Sequence, residues 1–123
     1  MGGGGLQAVA ISACGNFGIV GSSSGVIETF NLQSGLRRRK FVGHTKAVTG
    51  LVIDNVNRHL VSGSLDGTLR VWGFDSGRLS KTLDVGSGVT KVIMHAESEL
   101  VAFAADDFRF VSCPSLSFFF LLC

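Results

Sequence analysis

With 123 residues the chain is sized for one domain, and its 46% apolar content is enough to build a core. Seventeen glycines and no tyrosine suit an all-β protein with many tight turns, while a net charge of +2 is too small to argue by itself for a nucleic-acid binder. The three cysteines, Cys14, Cys113 and Cys123, fit neither a zinc site nor a disulfide framework and point to a reducing intracellular compartment.

Residues 1–5, MGGGG, read as a flexible start. They lack a charged region followed by a long apolar core, so no signal peptide is expected, and Leu6 stands where a myristoylation motif wants Ser or Thr. Alternating apolar patterning then predicts strands over residues 6–11, 17–21 and 26–30. Residues 21–25, Gly-Ser-Ser-Ser-Gly, also fit the nucleophile-elbow pattern. That motif needs a strand-to-helix turn, whereas residues 26–32 alternate as a strand, so the catalytic reading is set aside. Residues 36–41, LRRRKF, predict a fourth and outermost strand. Strict alternation sends Arg37 and Arg39 to one face and Arg38 and Lys40 to the other. These four cations read either as a charged edge that discourages edge-to-edge pairing or as a contact for phosphate or protein. A nuclear-import signal is disfavoured, because the run is only four residues long and lies in a strand.

Residues 43–72 carry the clearest pattern. Gly43 and His44 precede alternating apolar runs at 48–53 and 60–64. A turn at Leu65, Asp66 and Gly67 follows, and residues 68–72 form a third run ending in Trp72, the chain's single tryptophan. Period-two alternation broken by Asp-Gly is a hairpin signature. Gly25 and Gly67, Phe30 and Trp72, and Gly35 and Gly77 each stand 42 residues apart. An internal repeat of that length matches a four-stranded propeller blade. In the first copy Val20, Ser24 and Phe30 occupy the places of Ser62, Asp66 and Trp72. A third copy begins near Gly88, with strands at 89–95 and from 100, and Asp106 answers Asp66. A further strand begins at Phe108. His59 and His95 lack partners at metal-ligand spacing. Residues 114–123, PSLSFFFLLC, break the repeat: they are either an altered end or a buried fourth strand over 116–122, and are too short an apolar run to span a membrane. The expected divisions are a start (1–5), a degenerate blade (6–42), a full blade (43–84), a partial third blade (85–112) and a divergent apolar tail (113–123).

The spacing of His44, Ser62, Asp66 and Trp72 resembles a WD repeat, the blade unit of β-propellers. The fold class expected is therefore all-β, an incomplete propeller of about two and a half four-stranded antiparallel blades. The resemblance implies a structural tetrad: the Asp66 carboxylate holds the His44 ring, His44 meets the Ser62 hydroxyl, and Ser62 accepts from the Trp72 indole. Gly73 stands where the family usually has Asp. Ser, His and Asp also suggest a hydrolase triad, but a catalytic serine must be exposed beside an oxyanion hole, and Ser62 lies mid-strand in an apolar run.

Residues 10–18 (AISACGNFG), 21–25, 30–35 (FNLQSG) and 105–108 (ADDF) are similar to one branch of the WD-repeat family, the WD-repeat subunit of the small-subunit processome, over roughly residues 7–110. That resemblance implies a non-catalytic scaffold in small-subunit ribosomal RNA precursor processing, resident in the nucleus and nucleolus. Its expected partners are other WD-repeat proteins of a ribonucleoprotein assembly and pre-ribosomal RNA, the latter a candidate for contact with Arg37, Arg38, Arg39 and Lys40. It implies no cofactor, metal, membrane or small-molecule substrate. The alternative is a generic WD-repeat adaptor in another multiprotein complex. Two and a half blades cannot close a ring, so the chain is expected to be an N-terminal fragment of a longer protein.

Overall fold

Alternating side chains give each strand one face toward each neighbouring sheet, and the fold is built on that alternation. A computed structural model describes residues 5–12, 14–54, 58–95, 100–105 and 110–113. Among them there are strands and turns and no helix. The strands are β1 (Leu6–Ile11), β2 (Phe17–Ser22), β3 (Ile27–Asn31), β4 (Arg37–Phe41), β5 (Val48–Ile53), β6 (His59–Ser64), β7 (Thr68–Gly73), β8 (Leu79–Asp84), β9 (Val89–His95), β10 (Leu100–Ala105) and β11 (Phe110–Cys113). They form two four-stranded antiparallel meanders, β1-β2-β3-β4 and β5-β6-β7-β8, and a three-stranded one, β9-β10-β11. The architecture is an all-β partial propeller. The matches of Asp106 and Phe108 and the tail at 114–123 lie outside the described residues.

The core lies between the sheets. Ile19, Ile27 and Phe41 of the first sheet meet Val48, Leu51, Leu60, Trp72 and Phe74 of the second. Val61, Leu69 and Val71, on the opposite face of the second sheet, meet Val89, Val92 and Ala105 of the third. The middle sheet is thus buried on both sides, and apolar burial of this kind is the main stabilising term. The same interlock repeats at both junctions. A Cβ on Gly21 would lie 2.6 Å from Val48 Cγ1, and one on Gly63 would lie 2.6 Å from Val92 Cγ2 and 2.7 Å from Val89 Cγ1. Each second strand therefore carries a glycine where the first strand of the next sheet presses in. On the far face of the first sheet, β1 leaves Val9 71% and Ile11 63% exposed.

The turns match the repeat. Gly25 and Gly67 have φ of 95° and 85°, a left-handed conformation that glycine adopts without Cβ strain. The Gly-Ser-Ser-Ser-Gly segment enters this hairpin turn between β2 and β3, where Ser22 Oγ lies 2.8 Å from Ser24 Oγ and accepts from the Val26 amide.

Candidate functional site

Two constellations emerge at opposite ends of the sheets. The first gathers His44 from the turn before β5, Ser62 from β6, Asp66 from the β6–β7 turn and Trp72 from β7. Trp72 Nε1 donates to Ser62 Oγ at 2.8 Å. Ser62 Oγ lies 2.6 Å from His44 Nε2, and His44 Nδ1 lies 3.0 Å from Asp66 Oδ2. Ser62 is 0% and Trp72 2% exposed.

Burial is the largest influence on the His44 ring and lowers its pKa against the pull of Asp66. The ring is therefore neutral near neutral pH, with Nδ1–H donating to Asp66 and Nε2 accepting from the Ser62 hydroxyl. Burial alone would raise the Asp66 carboxyl, but donors from Thr68, His44 and the Thr45 amide outweigh it and hold the group at about 2. The Thr68 hydroxyl donates to Oδ1 at 2.6 Å, its amide to the same oxygen at 3.0 Å, and the Thr45 amide to Oδ2 at 3.0 Å. Nothing in the blade spacing marks Thr45; for Thr68 the local signal is the Asp-Gly-Thr order, which favours an Asx turn. Chemically, the Ser62 hydroxyl, both His44 ring nitrogens and the Trp72 indole are all spent on partners within this chain. Ser62 has no face open to a substrate.

The second constellation is the basic strand, and here the structure corrects strict alternation. β4 pairs Phe30 with Arg37 and Thr29 with Arg39, leaving Arg38 as the extra residue of a β-bulge. The bulge turns Arg38 and Arg39 both toward the second sheet. The Arg38 guanidinium sits 4.5 Å from the centroid of Phe17 and 5.2 Å from that of Phe74. Its Nη2 donates to Asp75 Oδ1 at 3.4 Å. Arg38 is thus a clasp between the first and second sheets. Arg37 Nε lies 3.5 Å from the buried Glu28 carboxylate. Arg39 and Lys40 are exposed.

Elsewhere, His59 Nδ1 meets the buried Asp54 at 3.1 Å. Among the described residues no cluster of three or more His, Cys, Asp or Glu side chains could hold a metal ion, and no helix is long and apolar enough to cross a membrane.

Comparison with known proteins places this geometry. The profile of the family described as the WDR36/Utp21 second beta-propeller domain matches residues 4–113. The chain is 49% identical over 106 residues to the U3 small nucleolar RNA-associated protein 21 homolog of Schizosaccharomyces pombe, covering 84% of this chain and 12% of that protein. It is 42% identical over 106 residues to U3 small nucleolar RNA-associated protein 21 of Saccharomyces cerevisiae, covering 86% and 11%. It is 34% identical over 104 residues to human WD repeat-containing protein 36, covering 82% and 12%. The chain therefore spans only about an eighth of these relatives' length. Among solved structures, the Myceliophteria thermophila Cps50 (Swd1) β-propeller domain superposes with a TM-score of 0.83 over 93% of this chain and 37% of that one; at 20% identity this likeness speaks to fold alone.

Proposed function

Because the chain belongs to the WDR36/Utp21 second β-propeller family, we propose that it serves as part of a non-catalytic scaffold in small-subunit ribosomal RNA precursor processing. The observation that carries the reading is the 49% identity, over most of the chain, to a protein named for its association with the U3 small nucleolar RNA. A nuclear and nucleolar site of action follows from the same reading, as do other WD-repeat proteins and pre-ribosomal RNA as partners. The family match runs over residues 4–113, well beyond the Gly-His…Trp signature, so a generic adaptor role is not favoured. The tetrad supports a structural rather than a catalytic role for Ser62, His44 and Asp66: a nucleophilic serine must reach substrate, and this one is enclosed.

A tagged pull-down of the chain from nuclear extract tests the proposal. The expected result is recovery of small-subunit precursor RNA together with other processome proteins. Recovery of chaperones alone would overturn it for this chain.

A further inference from the structure

We propose that Arg39, Arg58 and Arg78, drawn together from both four-stranded sheets, form a surface that binds the phosphate backbone of RNA, with Arg38 withheld from it as the clasp. The proposal deepens the ribonucleoprotein reading above and rests on it for the choice of RNA.

One turn relates the three arginines: Arg78 lies in it, the Arg58 backbone is hydrogen-bonded to it, and the Arg39 side chain reaches it. The Phe74 amide donates to the Arg58 carbonyl at 2.9 Å, which sets Arg58 beside the turn that leads into β8. Arg78 closes that turn. Arg39 crosses from the first sheet and lies along Gly77, where a Cβ would stand 3.3 Å from its Cδ and 3.5 Å from its Nη1. Glycine at 77 thus leaves room for a guanidinium that a side chain would crowd. All three residues are exposed, and none is in an ion pair among the described residues.

Among the described residues, the acids near this turn are already engaged. Asp54 accepts from the Arg58 and His59 amides at 2.7 and 3.2 Å, Asp75 accepts from Arg38, and Glu28 faces Arg37. Among the described residues around this turn, the charges left without an ion pair are those of Arg39, Arg58 and Arg78. Guanidinium groups present a planar fork of donors that fits phosphate oxygens two at a time. The opposite end of the sheets carries Asp66 and Asp84 beside Lys46, so the field favours a polyanion at the arginine end. Backbone binding of this kind positions an RNA without reading its sequence.

The test uses the whole chain and a labelled oligouridine, with anisotropy read between about 50 and 200 mM salt. The triple variant Arg39→Ser, Arg58→Ser, Arg78→Ser is compared with Lys46→Ser, Lys81→Ser, Lys91→Ser, which removes the same charge elsewhere. Three lost phosphate contacts on a single strand should flatten the slope of log affinity against log salt by about 2, and the lysine-depleted variant should keep the parent slope. Arg38→Ser should lower Tm and leave the slope alone. If the serine triple loses its fold by circular dichroism, the triple Arg→Lys variant carries the test: it should keep the slope and bind severalfold more weakly, and unaltered affinity overturns the proposal. Equal losses in the two Ser triples overturn it, as does absence of binding by a folded parent. If the arginine-depleted variant keeps RNA but loses processome proteins in the pull-down, the surface is a protein contact, and this proposal fails while the scaffold reading stands. Failure of the parent to recover either would sink the scaffold reading itself.

Discussion

Replacing Ser62 with alanine removes one oxygen and strands two groups. The Trp72 indole N–H loses its acceptor and His44 Nε2 loses its donor, in a site where Ser62 is 0% exposed and water has no access to the missing position. An unmet buried donor or acceptor costs about 1–3 kcal/mol, so the pair together costs about 2–6 kcal/mol. That is a large part of the roughly 5–15 kcal/mol by which a domain of this size is stable. Trp72 is the chain's only tryptophan, so its fluorescence during urea denaturation reports on the site itself. With an m-value of about 1.5 kcal/mol/M, the midpoint should fall by about 1–4 M. Trp72→Phe deletes the stranded donor, so the cost of Ser62→Ala should be smaller in that background by about 1 kcal/mol or more. An unchanged midpoint for the single variant would refute the reasoning. Strict additivity in the double would show that the indole and the hydroxyl do not act as a pair.

Acid should loosen the same site in two stages. Unfolded His44 takes up a proton near 6.5 and the folded ring only at lower pH, so its contribution is complete above 6.5 and erodes as the pH falls below it. Asp66 contributes fully above its unfolded value of 3.8 and loses that contribution, about 2 kcal/mol, as the pH falls through about 2. A urea midpoint that rose on acidification below 6.5 would contradict this order. Gly63→Val forces a side chain against Val89 and Val92 and should cost about 1–3 kcal/mol by overpacking; an unaltered Tm would mean that the second and third sheets are not interlocked there. Arg38→Ser should cost about 1–2 kcal/mol through the lost stacking on Phe17 and Phe74. Asp75→Asn should cost far less, since that carboxylate is 85% exposed; equal losses in a denaturation comparison would assign the clasp to charge instead of stacking.

Much of this protein is written locally. Alternation marked most of the described strands and the repeat marked the charged outer ones, with ends displaced by a residue or two: the strand expected at 26–30 is Ile27–Asn31. The chain of hydrogen bonds among His44, Ser62, Asp66 and Trp72 was implied by their resemblance to a WD repeat, and it suits the residue types, because a buried indole N–H and a buried carboxylate each demand a partner. Period, hairpin turns and strand order are relations of the chain with its immediate neighbours, and the residue pattern carries them.

The fate of the basic strand required the tertiary structure. Four consecutive cations look equivalent in sequence, yet one bulge opposite Thr29 and Phe30 makes Arg38 a buttress between two sheets and lays Arg39 along a glycine of the next one. Arg39, Arg58 and Arg78 share no local pattern: pairing within the second sheet sets Arg58 beside the turn of Arg78, and Arg39 reaches that turn only because the first sheet packs against the second. Gly21 and Gly63 likewise show a 42-residue spacing in the sequence, but their purpose, room for an incoming valine, exists only once a neighbouring sheet is in place. Propensity and alternation act within a strand and its hairpin. Which charge is spent and which stays free is decided by contacts between sheets, whose register depends on bulges and close approaches that no single segment encodes.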